Sequence, residues 1–182
     1  MPLSGGERPG GCSVTPIKRA ALACAFACLF AAAPACAQDD AVPARSFASL
    51  AEAVAAQSPG IDDEHLRCLA SAVYFESQGE PLAGQLAVAQ VILNRVKSGR
   101  YAGNVCGVIT QRGQFGFVRG GAVPVVDASR GAFRTAAAVA KVAMSQAWVT
   151  QQAATAMFFN GVRAARVGSV RIATIGNHAF YR

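Results

Sequence analysis

Leu69-Ala70-Ser71-Ala72-Val73-Tyr74-Phe75-Glu76-Ser77-Gln78-Gly79-Glu80-Pro81 decides how this chain is read. An apolar run at helical spacing ends on two glutamates beside a glycine and a proline, the residues that stop a helix. Leu66, Leu69, Ala70 and Val73 supply the apolar stripe, and Asp62, Asp63 and Glu64 supply a cap and favourable charge where the helix begins. The spacing predicts a helix that starts at this acidic cluster and runs to about Ser77. Beyond it carboxylates almost vanish: from Leu82 to Arg182 the only one is Asp127, against twelve Lys and Arg. Acid chemistry therefore rests on a very short set of groups, headed by Glu76.

Working outward, a second helix is expected from near Pro81, carrying Leu86, Val88, Ala89, Val91, Ile92, Leu93 and Val96 before Ser98-Gly99. Apolar residues around most of its circumference mark it as central and buried. Gln85 and Asn94 on that helix are expected to be core hydrogen-bonding groups, since buried amides need partners. Tyr101 to Thr110 is short and mixed, Gln111 to Pro124 reads as a Gly-rich loop, and a third long helix is expected over about Ala132 to Val149. Ala156-Met157-Phe158-Phe159 and Val170-Arg171-Ile172-Ala173 read as short strands, with Gly176-Asn177 as a turn. Upstream, Phe47, Leu50 and Val54 give one short amphipathic helix that Ser58-Pro59-Gly60 stops. The organisation expected is a leader over 1–37, a linker over 38–60, and a single α+β domain over 61–182, mainly helical with a small terminal β element.

The leader reading rests on Lys18-Arg19 as a basic n-region, Ala20 to Ala32 as an apolar h-region, and Ala35-Cys36-Ala37 as a cleavage site. The apolar run falls short of the roughly 20 residues of a spanning helix, so a cleaved export signal is favoured over a retained anchor. The long Gly- and Pro-rich stretch before Ile17 fits a true start downstream of Met1. Cleavage after Ala37 removes Cys12, Cys24, Cys28 and Cys36 and leaves only Cys68 and Cys106. In an oxidising compartment those two predict one disulfide; two buried free thiols are the alternative. The formal charge falls from +7 to +5 on cleavage, with acids clustered between Asp39 and Glu80 and bases dominating afterwards. A basic exported surface fits a polyanionic envelope partner better than nucleic acid.

A metal site is hard to build, because after the leader only His65 and His178 remain, with no H-E-x-x-H and no cysteines at zinc spacing. No cofactor is expected. A cysteine nucleophile with His178 as base would need a disulfide candidate to stay reduced outside the cytoplasm. Carboxylate chemistry is left, and a general acid near neutral pH is favoured at an apolar wall such as the one Tyr74 and Phe75 would give Glu76. Were the helix to continue through Gly79, Glu76 and Glu80 would share a face about 6 Å apart. Two groups on one turn would approach a sugar from one side instead of flanking the scissile bond, so a two-carboxylate hydrolase is poorly supported. One glutamate suffices for a lytic transglycosylase, which needs neither an enzyme nucleophile nor an activated water.

Cys68 to Pro81, followed by Gly84-Gln85-Leu86-Ala87-Val88-Ala89-Gln90-Val91-Ile92-Leu93-Asn94-Arg95-Val96, resembles the SleB-type cell wall hydrolases, the family of spore-cortex-lytic enzymes and their proteobacterial relatives. Val105-Cys106-Gly107-Val108-Ile109, Gln114-Phe115 and Ile175-Gly176-Asn177-His178-Ala179-Phe180-Tyr181-Arg182 fit the same pattern in order, so the resemblance covers about Leu66 to the end. It implies a lysozyme-like fold of the goose-type or soluble-transglycosylase kind, peptidoglycan glycan strands as the substrate, and Glu76 as the catalytic acid. Glu80 would shape the site or hold a loop, and Tyr74, Gln114, Phe115, His178 and Tyr181 are the candidate substrate groove, with a structural role around the terminal turn the favoured reading of His178 and Tyr181 and a hydrophobic anchor the alternative for Gln114 and Phe115. Ser77-Gln78 replaces the family's usual Ala-Arg, and Gln114-Phe115-Gly116-Phe117 its Gln-Phe-Ser-Phe, which bears on glycan preference. The expectation is an exported, periplasmic or envelope monomer that cuts the bond between N-acetylmuramic acid and N-acetylglucosamine. A muramidase, an amidase and a catalytically silent wall-binding module are the rivals.

Overall fold

Asp63 opens the helix that carries Glu76. Its carboxylate accepts the Leu66 N–H at 2.7 Å, satisfying one of the donors a helix start leaves unpaired, a contact worth about 1 kcal/mol. The computed structural model, which describes residues 46–164 and 169–182, places this helix, α2, at Glu64–Ser77. The export signal expected over residues 1–37 and the first residues of the linker lie outside the described residues. α1, Leu50–Ala55, precedes α2 and is capped by Ser49. At its far end α2 stops as Ser77 turns its hydroxyl back onto the Val73 carbonyl, Gln78 leaves the helical region, and Gly79 takes a φ of +86°.

α3, Leu82–Lys97, starts immediately after Pro81. One side of it buries Leu86, Ala89 and Ile92 against α2 and the later helices; the other buries Ala87, Val88 and Val91 against Ala153, Ala156 and Phe180 beneath the sheet. Standing between two apolar clusters is why its sequence is apolar nearly all round. Its polar residues hold irregular backbone: Gln85 Nε2 donates to the Glu80 carbonyl, and Gln90 Oε1 accepts the Thr150 N–H. Asn94 Nδ2 donates to the Ala154 and Ala156 carbonyls, both at 2.9 Å, and Arg95 Nε donates to the Met157 carbonyl at 2.9 Å. The last two contacts fix the chain as it enters the sheet.

Two helical boundaries differ from the periodicity. The mixed stretch after Tyr101 contains α4, Val105–Thr110, started by the Asn104 side chain accepting the Gly107 N–H. α5, Gly131–Met144, lies against α2 and ends five residues before the expected Val149, because Gln146 adopts φ +55° and the Ala147 N–H bonds back to the Val142 carbonyl. A non-glycine residue takes the left-handed position there, so the sequence carries no glycine to mark the stop. Cys68 in α2 and Cys106 in α4 are bonded, with Cα atoms 5.4 Å apart across a sequence separation of 38.

After a single 3-10 turn at Gln151–Ala153 the chain forms β1 (Phe158–Gly161), β2 (Arg171–Ile175) and β3 (His178–Tyr181). The sheet is antiparallel in the order β1-β3-β2, with Phe158 opposite Tyr181, Ile175 opposite His178, and a bulge between Arg171 and Ala173. The last strand is central, which buries Ala179, Phe180 and Tyr181. β1 starts at Phe158, two residues after the expected Ala156, and β2 one residue after Val170. Among the described residues no helix is long and apolar enough to cross a membrane.

Candidate active site

Glu76 sits on the last turn of α2, half-buried, at the edge of an aromatic wall. Phe75, which is 39% exposed, stacks on Phe117 at 4.8 Å and 20° between planes. Tyr74 meets Phe75 and Phe133 edge-on at 5.2 and 5.8 Å, and Phe117 in turn lies 5.6 Å from Phe115. Behind this wall the Arg95 guanidinium is 5% exposed and lies over the rings of Tyr101, Phe115 and Phe158. Burial pushes the Glu76 carboxyl above the ordinary glutamate range, and the Arg95 charge only partly offsets it. A carboxyl in this state holds a proton further toward neutral pH, as a general acid must.

Glu80 is a different kind of group. The break at Gln78-Gly79 ends the helix before it, so the two glutamates are not an i, i+4 pair on one helical face. Glu80 accepts the Asn177 backbone N–H at 2.8 Å and the Asn177 side-chain amide at 3.0 Å, one on each oxygen. Desolvation works upward on this carboxyl, but the two Asn177 hydrogen bonds and the charge of His178 bring it below the ordinary range. The contact needs glycine at 176: a Cβ there would run into the Glu80 carboxylate and stand 2.9 Å from Pro81 Cδ, at a φ of +56°. Glu80 thus ties the β2–β3 turn to the α2–α3 junction.

The Glu80 tie gives a pH signature. A carboxyl held low in the fold stabilises it above the unfolded value near 4.5 and loses that contribution as pH falls through the lower folded value. Glu80→Gln should therefore melt below wild type near neutral pH, with the gap closing in acid. Gly176→Ala should cost more, roughly 1 to 3 kcal/mol, because steric strain is added to the lost contact. Thermal melts of both variants across a pH series check this; a constant gap for Glu80→Gln would contradict it.

The other expected groove residues are spread unevenly. Gln114 is half-buried in the loop after α4, and its Oε1 accepts from Arg95 Nη1 at 3.3 Å. Phe115 and Tyr181 are 7% and 3% exposed, so their side chains belong to the packing, and the exposed aromatic surface next to Glu76 comes from Phe75, with half-buried Phe117 stacked on it. Tyr181 Oη accepts from Arg171. His178 packs edge-on against Phe159 at 5.4 Å, and burial lowers its pKa although the Glu80 charge works upward. Arg95 and Asn177 join the site through the structure; the sequence signal for the first is an arginine on a helix expected to be central and buried. Among the described residues no three His, Cys, Asp or Glu side chains gather as a metal site. A cavity of about 700 Å³ lies elsewhere, between the other end of α2, α4, α5 and the 121–128 segment, and the Cys68–Cys106 bond lines it.

Comparison with known proteins bears on the whole domain. Residues 79–181 match the family model described as cell wall hydrolase, a segment that begins three residues after Glu76. The spore cortex-lytic enzyme of Bacillus subtilis (strain 168) is 51% identical over 59 residues, covering 32% of this chain and 19% of that one. The enzyme of the same name from Bacillus cereus is 45% identical over 64 residues, 35% of this chain and 25% of that one. The chain thus spans about a quarter or less of these curated relatives. Among solved structures, the catalytic domain of the germination-specific lytic transglycosylase SleB from Bacillus anthracis superposes with a TM-score of 0.55 at 30% identity, covering 69% of this chain and 100% of that one. The Bacillus cereus SleB catalytic domain gives 0.53 at 29% identity, covering 69% and 94%. The shared architecture is the lysozyme-like α+β fold, mainly helical with a small sheet.

Proposed function

The chain belongs to the cell wall hydrolase family, and on that premise we propose that it is an exported enzyme of the cell envelope that cleaves peptidoglycan glycan strands as a lytic transglycosylase. The observation that carries the reading is the contrast between the two glutamates: Glu76 is held toward its protonated form at an aromatic edge, while both oxygens of Glu80 are taken by Asn177. The remaining described carboxylates are remote or occupied. Glu52 accepts the Ala48 N–H at the start of α1, Asp63 caps α2, Asp62 precedes that cap, Glu64 stands some 18 Å along the helix from Glu76, and exposed Asp127 accepts from Ser129. A retaining or inverting hydrolase needs a second carboxylate across the scissile bond; a transglycosylase does not.

In the proposed reaction Glu76 gives its proton to the glycosidic oxygen as the bond from N-acetylmuramic acid C1 breaks. The 6-hydroxyl oxygen of the same sugar bonds to C1, and its proton returns to the Glu76 carboxylate, closing a 1,6-anhydro ring. Atoms balance without water, and the acid is regenerated. Phe75 and Phe117 offer a face for a sugar ring, and Glu80 keeps the terminal turn tied to the junction that follows the acid's helix.

Mass spectrometry of fragments released from purified peptidoglycan tests the reading. Anhydro-muramic ends are expected, one water lighter than the hydrolysed fragments. Reducing ends would make the protein a muramidase, free stem peptides an amidase, and binding without release a wall-binding module.

A further inference from the structure

Burying a guanidinium is costly unless its charge and donors are met. Arg95 is buried on α3, anchored by Nε to the Met157 carbonyl and ringed by Tyr101, Phe115 and Phe158 at 5.3 to 5.8 Å, so its head has little freedom. From that fixed position Nη1 reaches Gln114 Oε1. A guanidinium has donors and no acceptor, so only the oxygen of the Gln114 amide can face it. The –NH2 group is forced to the other side, and among the described residues it meets no protein acceptor. Phe115 follows Gln114 in the chain and lies against Phe117, which stacks on Phe75, the neighbour of Glu76. Arg95, which holds the Gln114 oxygen, also acts by its charge on Glu76, so the amide and the acid are gathered around one buried cation.

We propose that Arg95 is a positioning residue that locks Gln114 with its –NH2 outward beside Glu76, as a donor to the N-acetyl carbonyl oxygen of a bound glycan. The inference rests on the peptidoglycan-cleaving reading and adds to it the polarity of a subsite. A locked donor matches carbonyl oxygens and disfavours the ammonium of a de-N-acetylated sugar. Without the arginine, both amide orientations would be open and the preference lost.

The decisive variant is Gln114→Glu. It keeps the contact with Arg95, now charge-assisted, but turns an acceptor outward in place of the donor. If the contact only braces the loop, this variant is as active as wild type. If the donor matters, KM for purified peptidoglycan rises about tenfold at each protein's own pH optimum, with kcat changed less and the melting temperature equal or higher. Gln114→Met, which loses both contact and donor, should show the same KM rise and should converge with wild type on chemically de-N-acetylated peptidoglycan. Arg95→Lys, still able to donate to the Gln114 oxygen, should recover most of the KM lost in Arg95→Met. Wild-type KM in Gln114→Glu, or a tenfold gap for Gln114→Met that persists on de-N-acetylated glycan, overturns the proposal. Should wild type release no fragments, the cleavage reading fails separately; sedimentation with insoluble peptidoglycan then reads the donor, and equal binding of wild type and Gln114→Glu overturns it.

Discussion

Replacing Glu76 with glutamine should leave the protein folded and lower peptidoglycan cleavage by about 10²- to 10⁴-fold, the usual worth of a positioned general acid. The amide keeps the shape of the side chain but cannot deliver a proton to the leaving oxygen. Stability should move the other way. The Glu76 carboxyl is held above its unfolded value, so the folded state binds the proton more tightly, and stability declines as pH rises from the unfolded value through the folded one. At neutral pH Glu76→Gln removes that burden and should melt no lower than wild type. Cleavage by wild type should fade over the raised titration range, since only the protonated acid starts the reaction. Wild-type turnover in a folded Glu76→Gln protein would remove Glu76 from the mechanism; an inactive variant that is also unfolded on far-UV circular dichroism would not test it.

The second large effect concerns the Cys68–Cys106 bond. It closes a loop of 38 residues between α2 and α4, which in the chain-entropy model is worth about 4 kcal/mol. Changing both cysteines to alanine should lower the melting temperature by roughly 10 °C or more in a domain of this size. Activity below the transition should survive, because Cys68 lies about two helical turns before Glu76 and neither sulfur takes part in the proposed chemistry. A folded but inactive double variant would instead bring back a thiol mechanism. Melting scans beside a turbidity assay on peptidoglycan at 25 °C separate the two outcomes.

Local signals carried much of this molecule. Asp63, the stripe from Leu66 to Val73 and the Gly79-Pro81 break sufficed to place α2 and Glu76 on its last turn, because capping, periodicity and helix stops act within a few residues. The all-round apolar character of α3 likewise announced a helix packed on both faces. What the sequence hid depended on partners far along the chain. What Glu80 does turned on Asn177, 97 residues after it, which takes both of its oxygens. Arg95 gave no local hint that it would draw in Met157 and Gln114. For Phe115 and Tyr181 the sequence left groove contact and packing both open, because exposure is decided by the final packing; that packing buries both and leaves Phe75 exposed, with half-buried Phe117 stacked on it. Gln146 ended α5 in a left-handed conformation that its residue type does not advertise.

The central claim is that one carboxyl does the work of both acid and base, with a hydroxyl of the sugar in place of water. Digesting purified peptidoglycan in water enriched in heavy oxygen tests this most directly, because a hydrolase must place a solvent oxygen on the new sugar end and a transglycosylase must not. Fragments released by wild type should carry anhydro ends with no heavy oxygen, and Glu76→Gln should release almost none of them. Heavy oxygen at the muramic acid C1 of newly released fragments would contradict the account.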